Sequence, residues 1–545
     1  MSHKGISRRK KGKKQHICYD IQAFLKDGLW LFVSIYMFLI IVVHPFYYTQ
    51  GYARIGTDKY EFFYRTGLVA FVCILPLVGI YLALSFFIKY RLEKSEEFPF
   101  GKLSLTDKFV LGYGAAVLLS YFFSEYRDAG VYGDVWKGTI GWFMGACSQL
   151  MFVGIYFAVS RFWKKSKVLP VLWLPVLLVV FLLELANRFG VRPIEMENAS
   201  PGFISTIGNI NWYCGYIVIL LFGMMYYFWA DAEKNTYVRI GLAVWLTIGF
   251  ASLITQGSLS GLLALGAGFL CLYLLSMSSG ERVEQVLACL VCLGLACCGV
   301  YFLRGRFEEK YTYQDPVWDY LTNHPLAVVI LILGLAGWGM VKYWNTEKKA
   351  PVKAYTYVGY GMCGLAGIGM LVYIILLTVN TKLPGSLGAL SENTWFTFDN
   401  SWGSSRGATL IAAWKCFADQ DLWSKIVGVG PDAMVMYINS EKNPQLYALV
   451  REVFGSLNLT NAHNEWLTIL VNEGLFGLIT YAGIMISAMV RFLKAGRECA
   501  LTGACGMAVL AYTVNNMVSF QQAMAATTLF LVLGIGEACM RSRTT

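Results

Sequence analysis

Leu29–Tyr48 reads LWLFVSIYMFLIIVVHPFYY, an apolar run long enough to cross a hydrocarbon core, which takes about 20 helical residues. It is longer than the core of a secretory signal and lacks a small-residue cleavage pattern, so it is expected to stay as an anchor, with no segment removed. Apolar runs of roughly 15 to 25 residues recur from here to Met540. In a chain of 545 residues that is 57% hydrophobic and 14% charged, this pattern excludes an ordinary soluble domain. Lipid offers no partner to an open backbone group, so the runs must be helices. The predicted fold is an all-α, polytopic integral membrane protein of about 14 transmembrane helices. The spans begin near Leu29, Leu68, Phe109, Thr139, Val168, Trp212, Ile240, Leu262, Val286, Leu326, Tyr355, Trp466, Leu501 and Ala523.

The net charge of +11 does not point to nucleic acid, because much of it is local: Lys4, Arg8, Arg9, Lys10, Lys11, Lys13 and Lys14 crowd a basic tail, residues 1–27. Such a tail is held on the cytoplasmic side. An even number of spans returns the C terminus, with Arg541 and Arg543, to that side. The connections then counted as cytoplasmic carry basic clusters, at Lys89, Arg91 and Lys94, at Arg161 to Lys167, at Lys342 to Lys353 and at Arg491 to Arg497. Spans 1 to 11 occupy residues 28–379, one large extracytoplasmic loop 380–463, and spans 12 to 14 with a short cytoplasmic tail 464–545.

The 14 cysteines lie mostly in apolar runs and form no disulfide framework. Cys289 and Cys292 have metal-like spacing but no polar neighbours, so they are read as small core residues and no metal is assigned.

The long polar interruption, Asn380 to Asn461, is where chemistry is expected. Facing outward, it has no access to ATP or nucleotide-sugars. A donor there must arrive already activated, and a glycan on a polyprenyl diphosphate fits, with its phosphates at the interface and its tail in lipid. His463 opens His463-Asn464-Glu465-Trp466-Leu467, where polar loop becomes apolar helix. An imidazole there can take a proton from an attacking hydroxyl, or simply anchor the helix. Arg406, in Gly403-Ser404-Ser405-Arg406-Gly407, opens an amphipathic stretch containing Trp414, Phe417 and Trp423. Its fork suits a diphosphate; the alternative is a solvated arginine paired with a nearby acid. Val427-Gly428-Val429-Gly430-Pro431-Asp432 makes a tight turn whose amides can face an anion or merely route the chain. Asp419-Gln420-Asp421 resembles a metal-holding acidic pair but lies on the wrong side of the membrane for nucleotide-sugar chemistry.

His463 and Asn464, followed by Gly474 and Gly477, resemble the His-Asn motif of the O-antigen ligase family. Arg406 with Leu410 resembles its Arg-x3-Leu motif, in the expected order and on the opposite side of the Gly428–Gly430 turn. Ser205 to Asn211, containing Asn209 and Asn211, is similar to the family's Gly-Asn-Pro-Asn entry to a span, and Trp136-Lys137-Gly138 also looks familial. The resemblance implies metal-independent transfer of a glycan from undecaprenyl diphosphate to an acceptor hydroxyl, without a cofactor. It implies His463 as base and Arg406 on the diphosphate, with Asn464, Gly428, Gly430, Asn209, Asn211 and Lys137 contributing to substrate binding. The chain departs from the pattern at Ser258-Leu259-Ser260-Gly261, where Ser260 replaces the family's arginine. Arg188, Arg192, Lys137, Arg304 and Arg306 are the outward-facing substitutes.

A ligase moves the glycan to an acceptor glycan, lipid or protein, whereas a polymerase extends it on its own carrier; the loop motifs favour the ligase. A polysaccharide transporter is the alternative from another class, and predicts ionisable residues inside spans and two related halves. Glu184 and Arg188 are the main intramembrane charges, and no internal repeat is evident. The expected location is the bacterial cytoplasmic membrane, with membrane lipids as partners and no nucleic acid.

Overall fold

The computed structural model describes residues 17–95, 102–127, 141–166, 168–230, 235–313 and 316–544. Helix accounts for 77% of it, which makes the protein the all-α polytopic membrane fold that the apolar runs require. Among the described residues, ten helices are long and apolar enough to cross a bilayer. The same residues also include three shorter apolar helices, Ala146–Phe162, Ser260–Ser276 and Ala500–Asn515, and the helix Leu105–Phe123. The strand described is a two-residue hairpin, Phe203–Ile204 against Gly208–Asn209.

Local chemistry sets the ends of these helices. The first runs from Ile17–Phe38 through a π-turn, Leu39–Val43, into a 3-10 turn, His44–Phe46, where Pro45 stops it. The Lys59 ammonium, buried in the bundle, takes the carbonyls of His44, Pro45 and Tyr47 at 2.9, 2.8 and 2.8 Å. A buried cation survives there because its donors are used. Ser104 and Asp107 form a capping box at the start of Leu105–Phe123.

Asp107 also gathers one face of the bundle. Arg161 donates to it at 3.1 Å, Tyr156 at 2.9 Å, and Arg541 joins them. Beside them Arg491 pairs with Glu537 at 2.8 Å. Arginines from three separate segments thus meet around Asp107 and Glu537. Ile210–Trp229 and Ala523–Ser542 are the most enclosed helices, while Val352–Lys382 lies outermost.

Several expected boundaries move, the first two helices beginning at Ile17 and Ile55 rather than near Leu29 and Leu68. The span expected near Trp466 is split into Glu465–Asn472 and Gly474–Ala495, because the chain breaks at Gly474, φ +70°. The span expected near Thr139 is Ala146–Phe162; Thr139 itself lies outside the described residues. The long interruption is also more than a connection. It holds the helices Trp402–Ala418, Leu422–Val427, Met434–Ile438 and Pro444–Phe454. Ala413, Cys416, Met434, Ile438, Val450 and Val471 pack into a separate small core beneath them.

Candidate active site

Arg406 lies one turn into Trp402–Ala418. Three residues later Thr409 donates to the Ala462 carbonyl at 2.9 Å, which ties this helix to the residue before His463. His463 itself sits in left-handed backbone, φ +48°, a conformation that costs a non-glycine residue energy and persists when its surroundings hold it. Its N–H donates to Asn461 Oδ1 at 3.0 Å, and the Ala462 N–H donates to Thr468 Oγ1 at 3.0 Å. The imidazole stands edge-on to Phe520, with centroids 5.0 Å apart. Burial, and then the charge of Arg406, lower its pKa from 6.5 to about 4. The imidazole is therefore neutral at physiological pH. Burial lowers the Arg406 guanidinium from its ordinary value too, with Tyr313 opposing, though arginine stays charged.

The rest of the wall is aromatic. Phe520 meets Trp142 at 5.3 Å, and Trp142 meets Trp212 at 5.5 Å. Behind His463, the buried Glu465 carboxylate accepts from Tyr512 at 2.9 Å and from Tyr481 and Asn516. It fixes the start of the Glu465–Asn472 helix against two membrane helices. Asn464 caps that helix, accepting from the Leu467 N–H at 2.9 Å and donating to the Met517 carbonyl at 2.8 Å.

Residues 320–482 match the family model described as O-antigen ligase, a stretch that contains Arg406, His463, Asn464, Gly474 and Gly477. This stretch is an O-antigen ligase domain. The match supports a membrane glycan transferase of the O-antigen ligase or polymerase type in general. No curated protein matches the chain.

Within the O-antigen ligase domain the Gly428–Gly430 turn does not offer its amides to an anion. The Gly428 N–H donates to the Ser424 carbonyl at 2.6 Å and the Gly430 N–H to that of Asn472 at 3.0 Å. Both glycines have positive φ and approach neighbouring atoms too closely for a Cβ. Asp421 of the acidic pair caps Leu422–Val427, accepting from the Trp423 and Ser424 N–H groups at 2.8 and 3.1 Å.

Upstream of the O-antigen ligase domain, Asn209 caps Ile210–Trp229 by accepting from the Asn211 N–H at 2.9 Å. Asn211 accepts from Ser258 at 2.7 Å, so these asparagines lead directly to the turn that departs from the family. There Ser260 is buried, within 2.8 Å of Ser258. Arg188 reaches that same turn. Buried and 3.5 Å from Glu184, it donates to the carbonyls of Gln256 and Pro201 and stacks 4.7 Å from the Tyr313 ring. Tyr313 in turn acts electrostatically on Arg406. Arg304 is committed elsewhere, 2.6 Å from Asp319, and Arg192 and Arg306 are exposed. Lys137 lies outside the described residues.

Thr409, Tyr313, Glu465 and Phe520 are the members that sequence reasoning missed. Glu465 was open to discovery as a carboxylate at the mouth of an apolar helix. Phe520 and Tyr313 carry no local signal, since only the fold brings them to His463 and Arg406.

Proposed function

We propose that the protein transfers a glycan from undecaprenyl diphosphate to an acceptor hydroxyl at the extracytoplasmic face of a bacterial cytoplasmic membrane. His463 is the base and Arg406 the diphosphate ligand. The observation that supports this reading is the hydrogen bond from Thr409 to the Ala462 carbonyl at 2.9 Å, which ties the helix carrying Arg406 to the residue before His463.

As the bond from anomeric carbon to diphosphate breaks, negative charge grows on the leaving oxygen, and a fixed guanidinium beside it stabilises that charge. The neutral imidazole takes the acceptor's proton as its oxygen attacks. The two roles assist each other. A bound diphosphate offsets the Arg406 charge that weakens His463, so the base strengthens when the donor is in place. Arg188 supports the site through the Gly257 turn and Tyr313, in place of a charge at position 260.

The test is mass analysis of products after the purified protein, in liposomes, receives its cell's own lipid-linked repeat unit, with His463→Ala alongside. Transfer to an added acceptor that the variant cannot perform supports a ligase. A ladder of longer carrier-linked glycans identifies a polymerase instead. Equal turnover by both forms overturns the base assignment.

A further inference from the structure

Four membrane helices leave a furrow that opens sideways from the bundle. Its floor is Val33, Tyr36, Ile155 and Val159, all buried, from Ile17–Phe38 and Ala146–Phe162. Its banks carry the exposed Leu75 and Leu111, from Ile55–Phe87 and Leu105–Phe123. The furrow holds about 370 Å³, within the range of ligand pockets, which also form between the helices of bundles. Its two ends differ. At one end Phe71 packs on Gly154, where a Cβ would lie 2.0 Å from the ring, so a residue without a side chain lets the helices close there. At the other end Arg161 joins the wall. The exposed Lys102 precedes the lining Leu103, and the exposed Lys164 follows Arg161 by one helical turn. Arg161 and Arg541 share Asp107, and Arg491 and Arg541 share Glu537, so the arginines there outnumber the carboxylates. Lys164 pairs with Asp27 at 2.6 Å, both in the open.

Length and charge together select an occupant. From Gly154 to Phe162 the helix rises about 12 Å, close to the depth of one leaflet, half of a hydrocarbon core about 30 Å thick. A furrow of that depth, apolar along its length and cationic at its mouth, fits a single fatty acyl chain beneath an anionic headgroup. Basic pockets between membrane helices bind such headgroups. We propose that the furrow holds one acyl chain of an anionic glycerophospholipid, with the lipid phosphate at the Arg161 end, near Lys102 and Lys164. The polyprenyl tail of a glycan carrier is not the occupant. Arg161 stands about 22 Å along Ala146–Phe162 from its first residue, and that first residue follows Trp142 of the wall beside Phe520. A phosphate at Arg161 is therefore remote from Arg406 and His463, and the lipid site does not depend on the roles of those two residues.

The experiment uses the full-length protein and has two arms. In the first, the protein in mild detergent receives phosphatidylglycerol, phosphatidylcholine with the same acyl chains, or undecaprenyl phosphate, and retained lipid is measured by native mass spectrometry. Phosphatidylglycerol should be retained roughly tenfold above phosphatidylcholine, and Lys102→Gln with Lys164→Gln should remove most of that preference. Ala158, which lines the furrow, supplies the steric variant: Ala158→Trp should abolish retention. In the second arm, phosphatidylglycerol with a diazirine near the end of one acyl chain is photolysed with the wild-type protein in vesicles, and cross-links should concentrate in residues 70–78 and 154–159. Equal retention of the two phospholipids overturns the proposal. So do cross-links spread evenly over the exposed helices, Val352–Lys382 included, or displacement of phosphatidylglycerol by undecaprenyl phosphate. The wild-type retention and cross-link map decide the matter even if a variant does not fold.

Discussion

Gly428 and Gly474 meet backbone to backbone. A Cβ on Gly428 would lie 2.0 Å from the Asn472 carbonyl oxygen, and one on Gly474 would lie 2.5 Å from the Gly428 nitrogen. With φ of +86° and +70°, each position also disfavours any other residue. The helix break after Asn472 is thus the socket for the Gly428 turn, and it holds the loop's small core onto the membrane helices. Gly428→Ala or Gly474→Ala should each cost about 1–3 kcal/mol or more, and the double variant should cost less than the sum, because both lesions strain one contact. Thermal unfolding in detergent measures this; additive losses would show that the two glycines act separately.

His463→Ala should lower transfer by about 10² to 10⁴ while leaving the melting temperature near that of the wild type, since the fold rests on its membrane helices. Product mass analysis and thermal unfolding, run on the same preparation, separate loss of chemistry from loss of structure.

Arg406→Lys keeps the charge but loses the fork, so partial activity is expected, with Arg406→Ala lower still. Equal transfer by all three forms would remove Arg406 from donor binding.

The His463 pKa supplies an independent test of proximity. Diethyl pyrocarbonate modifies neutral imidazole, so wild-type His463 should keep reacting down to about pH 4. In Arg406→Ala one of the two causes of depression is gone, and the midpoint should rise; an unchanged midpoint would mean that the two groups are not coupled. The same shift carries a sign for stability. The unfolded chain binds a proton at His463 below 6.5 that the folded chain does not bind until about 4. Stability should therefore fall as pH drops through that window.

Asp432 Oδ2 accepts the Trp142 and Met144 N–H groups at 2.6 and 3.1 Å, linking the Gly430 turn to the aromatic wall beside Phe520. Asp432→Ala leaves two backbone donors without that partner, at about 1–3 kcal/mol each if buried. Asp432→Asn keeps an oxygen in place and tolerates the residue's φ of +58°, so it should melt closer to the wild type.

Much of the fold was legible because a membrane helix is a local object. Length and apolarity select it, and ten of the described helices are long and apolar enough to cross, with three shorter apolar ones beside them. The misplaced start at Trp466 shows the limit. Residues 466–472 are apolar enough to continue the span, and what breaks it is Gly474 packing on Ile426 and Gly428, nearly fifty residues earlier. The site divides in the same way. Arg406 and His463 were visible from their residue types and from where they lie in the polar loop. The use of the Gly428 and Gly430 amides was not, because a glycine turn looks alike in sequence whether its N–H groups face a ligand or a neighbouring carbonyl.

By itself, the sequence determined that the chain is an all-α membrane protein, where its long polar interruption falls, and which two side chains there could do chemistry. All of these follow from composition and spacing within short windows. The tertiary structure alone decided that Thr409 would clamp the helix of Arg406 to Ala462 beside His463, that Phe520 would wall the imidazole, and that Arg188 would fill in beneath Tyr313 at the turn where Ser260 carries no charge. Those outcomes depend on side chains far apart in the chain meeting at fixed distances, and only the packed helices set such distances.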